Sequence, residues 1–270
     1  MSSDELTSRE YWDRVYDGSG RRKHAAINPQ RDYFADELIA VLTPHLPAST
    51  SGRPVRFLEM GCGNSLWLPY FARQWGYAVS GIDYSEDGCE LARANLRATG
   101  CDGEVYQRDF TRLSDEFAGA FDVVLSLGVV EHFHDTAGIV GIFARCLAPG
   151  GVLVTVIPNL AGGMGRIVRW IDRAVYDLHV PLTREALVAA HAIHGLKITE
   201  AAFLSFAQLG MVNVSNLRLA RPLGKLAYGL DLMHMYVRRL TGWRPQSPSW
   251  SSFLCVVARR PAASTPGRSP

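Results

Sequence analysis

From Val55 onward the chain alternates short apolar runs with segments whose apolar residues recur at helical spacing, the pattern of βα units that build a parallel sheet. The apolar runs predict strands at roughly 55–60, 77–82, 103–108, 121–127 and 151–157. Between them, Ser85 is placed to N-cap a helix through Leu96 that stops near Gly100, and Asp135 to N-cap one through Leu147. In the second helix Ile139, Ile142, Phe143 and Cys146 share a face, which predicts packing on the sheet. After Pro158 the pattern is less regular: Thr183 to Gly195 reads as a helix, Lys197 to Ser205 as a sixth strand, and Ser252 to Ala258 as a buried last strand. Three regions fall outside the sheet: the first 50 residues, an insert at about 160–182 and another at about 206–249. The sheet's core does not need them, so they read as lid material over a pocket.

The first strand runs through Phe57-Leu58-Glu59-Met60 into Gly61-Cys62-Gly63-Asn64-Ser65, and Asp83 closes the second strand 20 residues after Gly63. Glycines at such a turn let the backbone bend sharply and let a ligand lie against the main chain with no Cβ in the way. An acid at the tip of the next strand can accept hydrogen bonds from the two hydroxyls of a ribose. Position 66, where a dinucleotide site needs a small residue beside the pyrophosphate, is Leu66, followed by Trp67 and Leu68. That argues against NAD and FAD and for an adenosyl ligand without phosphates. No Lys-Ser or Lys-Thr follows the glycines, so the turn is not a phosphate-binding P-loop.

Five segments, Glu59-Met60-Gly61-Cys62-Gly63, Gly81-Ile82-Asp83-Tyr84-Ser85, Arg108-Asp109-Phe110, Phe121-Asp122-Val123-Val124 and Leu147-Ala148-Pro149-Gly150-Gly151, resemble in order and spacing the motif series of class I S-adenosylmethionine-dependent methyltransferases. The resemblance spans about residues 55–160 and, more weakly, the last strand. It implies an α/β fold, a doubly wound and mostly parallel seven-stranded Rossmann-like sheet, with the last strand antiparallel beside the sixth. It also implies that the cofactor is S-adenosyl-L-methionine, with Glu59, Gly61 and Gly63 lining the methionine end and Asp83 the ribose. Asp109 is implied at the adenine amino group, with Phe110 or Tyr84 against the ring and Leu127 beside them. An ordinary helix or turn cap for Asp109, and core packing for Tyr84 and Phe110, are the structural alternatives. Tyr11, Trp12 and Tyr16 lie in an N-terminal amphipathic stretch with Arg9 and Arg14. Similar helices in relatives such as thiopurine methyltransferases close over the cofactor, which makes Tyr11 and Trp12 candidate contacts; docking of a terminal helix through its aromatics is the alternative.

Methyl transfer is an in-line displacement, and alignment with exclusion of water accomplishes much of it. Ser126-Leu127-Gly128-Val129-Val130-Glu131-His132-Phe133-His134-Asp135 resembles the Glu-His segment of small-molecule members, so His132 is the candidate base or substrate-orienting group. The alternative is that Glu131 and His132 only brace the loop, and His134 can be a neighbour of the Asp135 cap. No metal is expected, because no further His or carboxylate stands at a helical ligand spacing beside them. His191 and His194 read as surface or core residues.

The 270 residues, 47% hydrophobic and 20% charged, suffice for one large core, and we expect a single methyltransferase domain over 1–260 with a disordered tail from Pro261 to Pro270. A formal charge of +2 announces no nucleic-acid partner, and the Asn/Asp-Pro-Pro-Tyr segment of many nucleic-acid amino-methylating relatives is absent after the fourth strand, where Leu127-Gly128-Val129-Val130 stands. Five scattered cysteines without a C-x-x-C pair fit a reducing cytoplasm, and neither a signal peptide nor a span is recognisable. Arg166, Arg169 and Arg173 recur at helical spacing beside Ile167, Val168, Trp170 and Ile171, and Leu226, Tyr228, Leu230, Leu232, Met233, Met235 and Tyr236 lead to Arg238 and Arg239. These inserts either pack on the sheet or make peripheral membrane contact. The expected function is methyl transfer to an oxygen or nitrogen of a small molecule. A membrane-associated enzyme with a quinone-like or isoprenoid substrate, a protein methyltransferase and a non-catalytic cofactor-binding protein remain as alternatives, and oligomeric state is open.

Overall fold

In the computed structural model, which describes residues 5–17, 27–50, 52–208 and 220–262, seven strands form one sheet. They are β1 Arg56–Met60, β2 Ala78–Asp83, β3 Glu104–Gln107, β4 Phe121–Leu127, β5 Leu147–Pro158, β6 Lys197–Phe206 and β7 Ser251–Arg259. Their order is β3-β2-β1-β4-β5-β7-β6; β7 pairs antiparallel with both β5 and β6, and the other pairs are parallel. The strand order therefore reverses between β1 and β4, and a crevice at the carboxyl ends of those strands is where such sheets take ligands.

Nine helices are described: α1 Arg9–Asp17, α2 Tyr33–Leu42, α3 Trp67–Trp75, α4 Glu86–Ala98, α5 Thr136–Cys146, α6 Gly163–Ile171, α7 Arg173–Tyr176, α8 Arg184–Ala192 and α9 Ala220–Thr241. Because successive strand residues point to opposite faces, each strand feeds two cores. Phe57, Val123, Leu125 and Val154 pack with Phe71 of α3 and Leu38 of α2 on one face. Leu58, Met60, Val124 and Leu153 pack with Phe143 of α5 and Leu187 of α8 on the other. Near-continuous apolar strands are what a sheet covered on both faces requires.

The predicted caps are present. Ser85 Oγ accepts from the Gly88 N–H and the Asp135 carboxylate from the Gly138 N–H, so α4 and α5 begin where the sequence placed them. Thr183 does the same for α8 through the Ala186 N–H. The fifth strand is longer than the expected 151–157. Phe121 pairs with Leu147 and Val123 with Val152, so Ala148 to Gly151 bulge out within one strand; Gly150, at φ 78°, makes the turn. In the region expected at 206–249, α9 is the described helix, and residues 209–219 lie outside the described residues, as do 263–270 of the expected tail.

The lower ends of β1 and β4 are joined by Asp122. Its carboxylate accepts from the Arg56 backbone N–H at 3.0 Å and from Arg56 Nε and a terminal nitrogen at 3.1 and 3.0 Å, with Arg53 at 3.4 Å. Burial alone would raise the carboxyl's pKa, but the Arg56 bonds and the two positive charges hold it below the ordinary value. A depressed folded pKa means that the stabilisation is present above the unfolded value of about 3.9 and is lost as pH falls through the folded one. Asp122→Asn is expected to lower stability by about 1 kcal/mol at pH 7, a figure kept small because solvent screens the arginines. In urea denaturation the difference from the parent protein should stay flat from pH 8 to about 5 and shrink below about pH 4.

Candidate active site

The turn after β1 is held by four side chains. Asp83 Oδ2 accepts from the Gly63 N–H at 2.8 Å while Oδ1 accepts from the Ser85 N–H at 2.8 Å, which binds the glycine turn to the tip of β2. Ser65 Oγ donates to Glu59 Oε2 at 2.5 Å and accepts from the N–H groups of Trp67 and Leu68, opening α3. The Asn95 amide donates to the carbonyls of Asn64 and Ser65 at 3.0 Å each. Gly61 and Gly63 have φ of 66° and 41°, conformations that favour glycine, and a Cβ on Gly61 would come within 2.5 Å of Val129 Cγ2.

Above the turn opens a cavity of about 180 Å³. Of the expected cofactor residues, Trp12, Gly61, Asp83, Tyr84, Asp109, Phe110 and Leu127 line it, and so does His132. Asp109 also caps the short turn after β3, accepting from the Thr111 N–H at 2.9 Å, so the structural reading and the cavity-lining one hold together. Phe110 is likewise shared, with one edge in the core against Phe133 and Phe143.

Three expected residues stand elsewhere. Glu59 is 3% exposed behind the turn, where burial pushes its carboxyl up to about 8, with Ser65 opposing and the Asp83 charge adding to the shift. Gly63 is covered by Tyr16, whose hydroxyl fills the place a Cβ would take. Tyr11 is off the cavity lining and within electrostatic reach of Asp172 at the start of α7. The wall is instead made by Trp12 and Tyr16, stacked with centroids 6.0 Å apart, because residues four apart share a helix face and Tyr11 does not share it. That spacing was available in the sequence.

The segment before α1 also contributes. Leu6 N–H donates to the His132 carbonyl at 2.8 Å, Tyr84 Oη donates to Glu5 Oε1 at 3.0 Å, and Trp12 Nε1 donates to Thr7 Oγ1 at 3.1 Å. The N-terminal strap is thereby tied to the loop after β4 and to the tip of β2. No sequence signal marked Glu5 or Thr7, whose role comes from long-range docking.

His132 is 5% exposed, its ring edge-on to Trp12 at 5.3 Å and 4.4 Å from the ring of His179. Its Nδ1 lies 2.8 Å from the Leu178 carbonyl. A carbonyl only accepts, so Nδ1 carries the proton and Nε2 the lone pair. Burial, then the neighbouring His179, lowers its pKa to about 4 against the raising effect of Leu178, and the ring is neutral at pH 7. Glu131 beside it is 1% exposed and burial raises its carboxyl to about 8, with only its own backbone amide in opposition. His179 comes from the insert after α7, too far along the chain for the helical-spacing argument to have found it. His191 and His194 are structural: His191 bonds Thr155 Oγ1 and the Leu187 carbonyl, and His194 the Ala137 carbonyl.

An open sheet with glycines under a cavity at its topological switch, an acid at the tip of the second strand and aromatic walls is the site of an adenosyl-binding α/β protein. The profile of the family described as "Methyltransferase domain" matches residues 27–201, and the chain belongs to that family. The ubiquinone biosynthesis O-methyltransferase of Caulobacter sp. (strain K31) is 29% identical over 180 residues, which are 62% of this chain and 69% of that protein. The protein of the same name from Brucella anthropi is 29% identical over 202 residues, 71% of this chain and 79% of that one. Among solved structures, the cyclase SpnF superposes with a TM-score of 0.65 at 18% identity, covering 96% of this chain and 97% of that one. Geranyl diphosphate C-methyltransferase from Streptomyces coelicolor A3(2), solved with Mg2+, geranyl diphosphate and S-adenosyl-L-homocysteine, gives 0.55 at 15% identity, covering 83% and 78%. At such identities the structural likeness is one of fold.

The chain is thus an S-adenosylmethionine-dependent methyltransferase, and the glycine cradle fits that ligand: a Cβ at Gly61 is excluded and Asp83 stands at the cavity edge. Gly61→Arg should remove measurable S-adenosylmethionine binding in calorimetry. Trp12→Ala should weaken it about tenfold, an aromatic contact's worth, and Tyr11→Ala should leave it within about twofold.

Proposed function

We propose that this enzyme methylates an oxygen of a small hydroxylated molecule. The observation that carries the reading is His132, which lines the cofactor cavity with Nδ1 committed to Leu178 and its other nitrogen unprotonated. The O-methyltransferase relatives support oxygen over nitrogen. When bound, S-adenosylmethionine supplies an electrophilic methyl on a sulfonium sulfur, so that the O–C bond forms as the S–C bond breaks and its electron pair stays on sulfur. A hydroxyl must lose its proton to attack well. His132 offers its lone pair to an electrophile at that point, either the proton itself or a cation that acidifies the hydroxyl. Trp12 and Phe133 exclude water on the same side, and Gly61, Asp83, Asp109 and Phe110 hold the cofactor. The expected Glu59 contributes by bracing Ser65 and the turn.

Peripheral contact with anionic lipid is a second reading, supported by α6: Trp170 is 87% exposed, and Arg166, Arg169 and Arg173 beside it are exposed as well. No helix among the described residues is long and apolar enough to cross a membrane. All five cysteines are free thiols, which supports a cytoplasmic setting.

Incubation with methyl-labelled cofactor and a panel of phenols should yield a labelled methyl ether. His132→Ala should lower kcat/KM by about 100-fold with cofactor affinity retained. Label found only on nitrogen, or full turnover in the variant, would overturn the assignment. Sedimentation with phosphatidylglycerol vesicles, absent with phosphatidylcholine and reduced by Trp170→Ala, is expected from the lipid contact.

A further inference from the structure

The geometry points to a divalent transition-metal site built by Glu131, His132 and His179, in which the cation holds and acidifies the acceptor's hydroxyl. The inference rests on the O-methylation reading above and specifies the electrophile that His132 receives.

One ligand atom from each of the three side chains lies within 4.8 Å of the other two. Each imidazole is oriented for a metal by a backbone carbonyl: His132 Nδ1 donates to Leu178 O at 2.8 Å, and His179 Nδ1 donates to Val175 O at 2.7 Å. Fixing the tautomer through the far nitrogen is how proteins commonly present Nε2 to a cation. Both rings therefore keep a lone pair on Nε2, the nitrogen through which each would meet a cation.

The independent observation is Glu131. It is 1% exposed, and neither Oε1 nor Oε2 has a hydrogen-bond partner in another residue. A buried carboxyl with nothing to bond is costly, and buried polar groups are nearly always satisfied. A cation between Glu131 and the two Nε2 atoms satisfies all three at once. The backbone supports this placement, since Val180 N–H donates to the Glu131 carbonyl at 2.7 Å and so clamps the insert on both sides of His179.

Two imidazoles and one carboxylate suit Zn2+, Co2+, Fe2+ or Mn2+; Mg2+ and Ca2+ prefer oxygen donors. Three protein ligands leave coordination positions open, and His132 lines the cofactor cavity, so those positions lead to the acceptor. An acceptor hydroxyl bound there loses its proton to water at lower pH than when free, and the resulting oxygen anion is the nucleophile.

Titration of the metal-free full-length protein with Co2+ tests this through visible absorption, and with Zn2+ through calorimetry, both read without turnover. One equivalent per chain is expected, with His179→Ala and Glu131→Gln each weakening binding by at least about 100-fold. S-adenosylmethionine affinity, measured on the same samples, should be unchanged in His179→Ala and serves as the folding control; His179→Gln supplies a milder second variant. Failure of the parent protein to bind either cation, or equal binding by the His179 and Glu131 variants, would overturn the site. Methyl transfer that persists undiminished after exhaustive chelation would do the same while leaving the O-methyltransferase reading intact, whereas cation binding without any oxygen methylation would sink that reading alone.

Discussion

The Asp83 carboxylate, accepting one N–H from Gly63 and another from Ser85, is the interaction on which the rest of the site depends. It fixes the turn after β1 to the tip of β2, so the two strand ends that must meet a cofactor cannot drift apart. Burial raises its pKa, and the N–H groups of Ser85, Gly63 and Tyr84 oppose that shift, so the acid is retained at a site where little water reaches it. Glu59, Ser65 and Asn95 extend the same bracing to the start of α3. The positive φ at Gly61 and Gly63 carries no strain because neither residue has a Cβ.

Against this rigid floor the cover is built from remote chain. The strap at 5–7 and the insert at 178–180 both bond the loop after β4, one through the His132 carbonyl and the other through the Glu131 carbonyl and the His132 ring. The loop thus couples two otherwise independent cover segments. Trp12 adds a side-chain contact from α1 to the same histidine. The Glu131 and His132 side chains have structural and chemical aspects together: their main chain braces the cover, and their side chains face inward.

What could be read from the sequence divides along the same line. Gly61, Gly63, Asp83, Asp109 and Leu127 sit at the ends of consecutive strands, so local spacing alone locates them, and the Ser85 and Asp135 caps are local in the same way. Glu59 lies behind the turn because strand alternation puts it on the face of Phe57, and there it bonds Ser65. Four-residue spacing puts Trp12 and Tyr16 on one face of α1, where their rings stack. Glu5 and His179 carry no local signal, since their positions are decided by where a strap and an insert dock.

The same division runs through the cavity. The cofactor half of the cavity is made of backbone turns and strand ends shared by the sheet, and altering it disturbs the fold. The facing wall is made by Trp12, Phe133 and His132, which the strap, α1 and the insert hold in place. Gly128, at φ 68° between β4 and the Glu131-His132 loop, marks the boundary: on one side residues are fixed by β-pairing, on the other by docking of the cover. The bonds that hold Asp83 to Gly63 and Ser85 pass through neither the strap nor the insert, but the strap also reaches the donor side through Glu5 and Tyr84, so of the two cover segments the insert is the one whose sequence can change with less effect on the glycine turn.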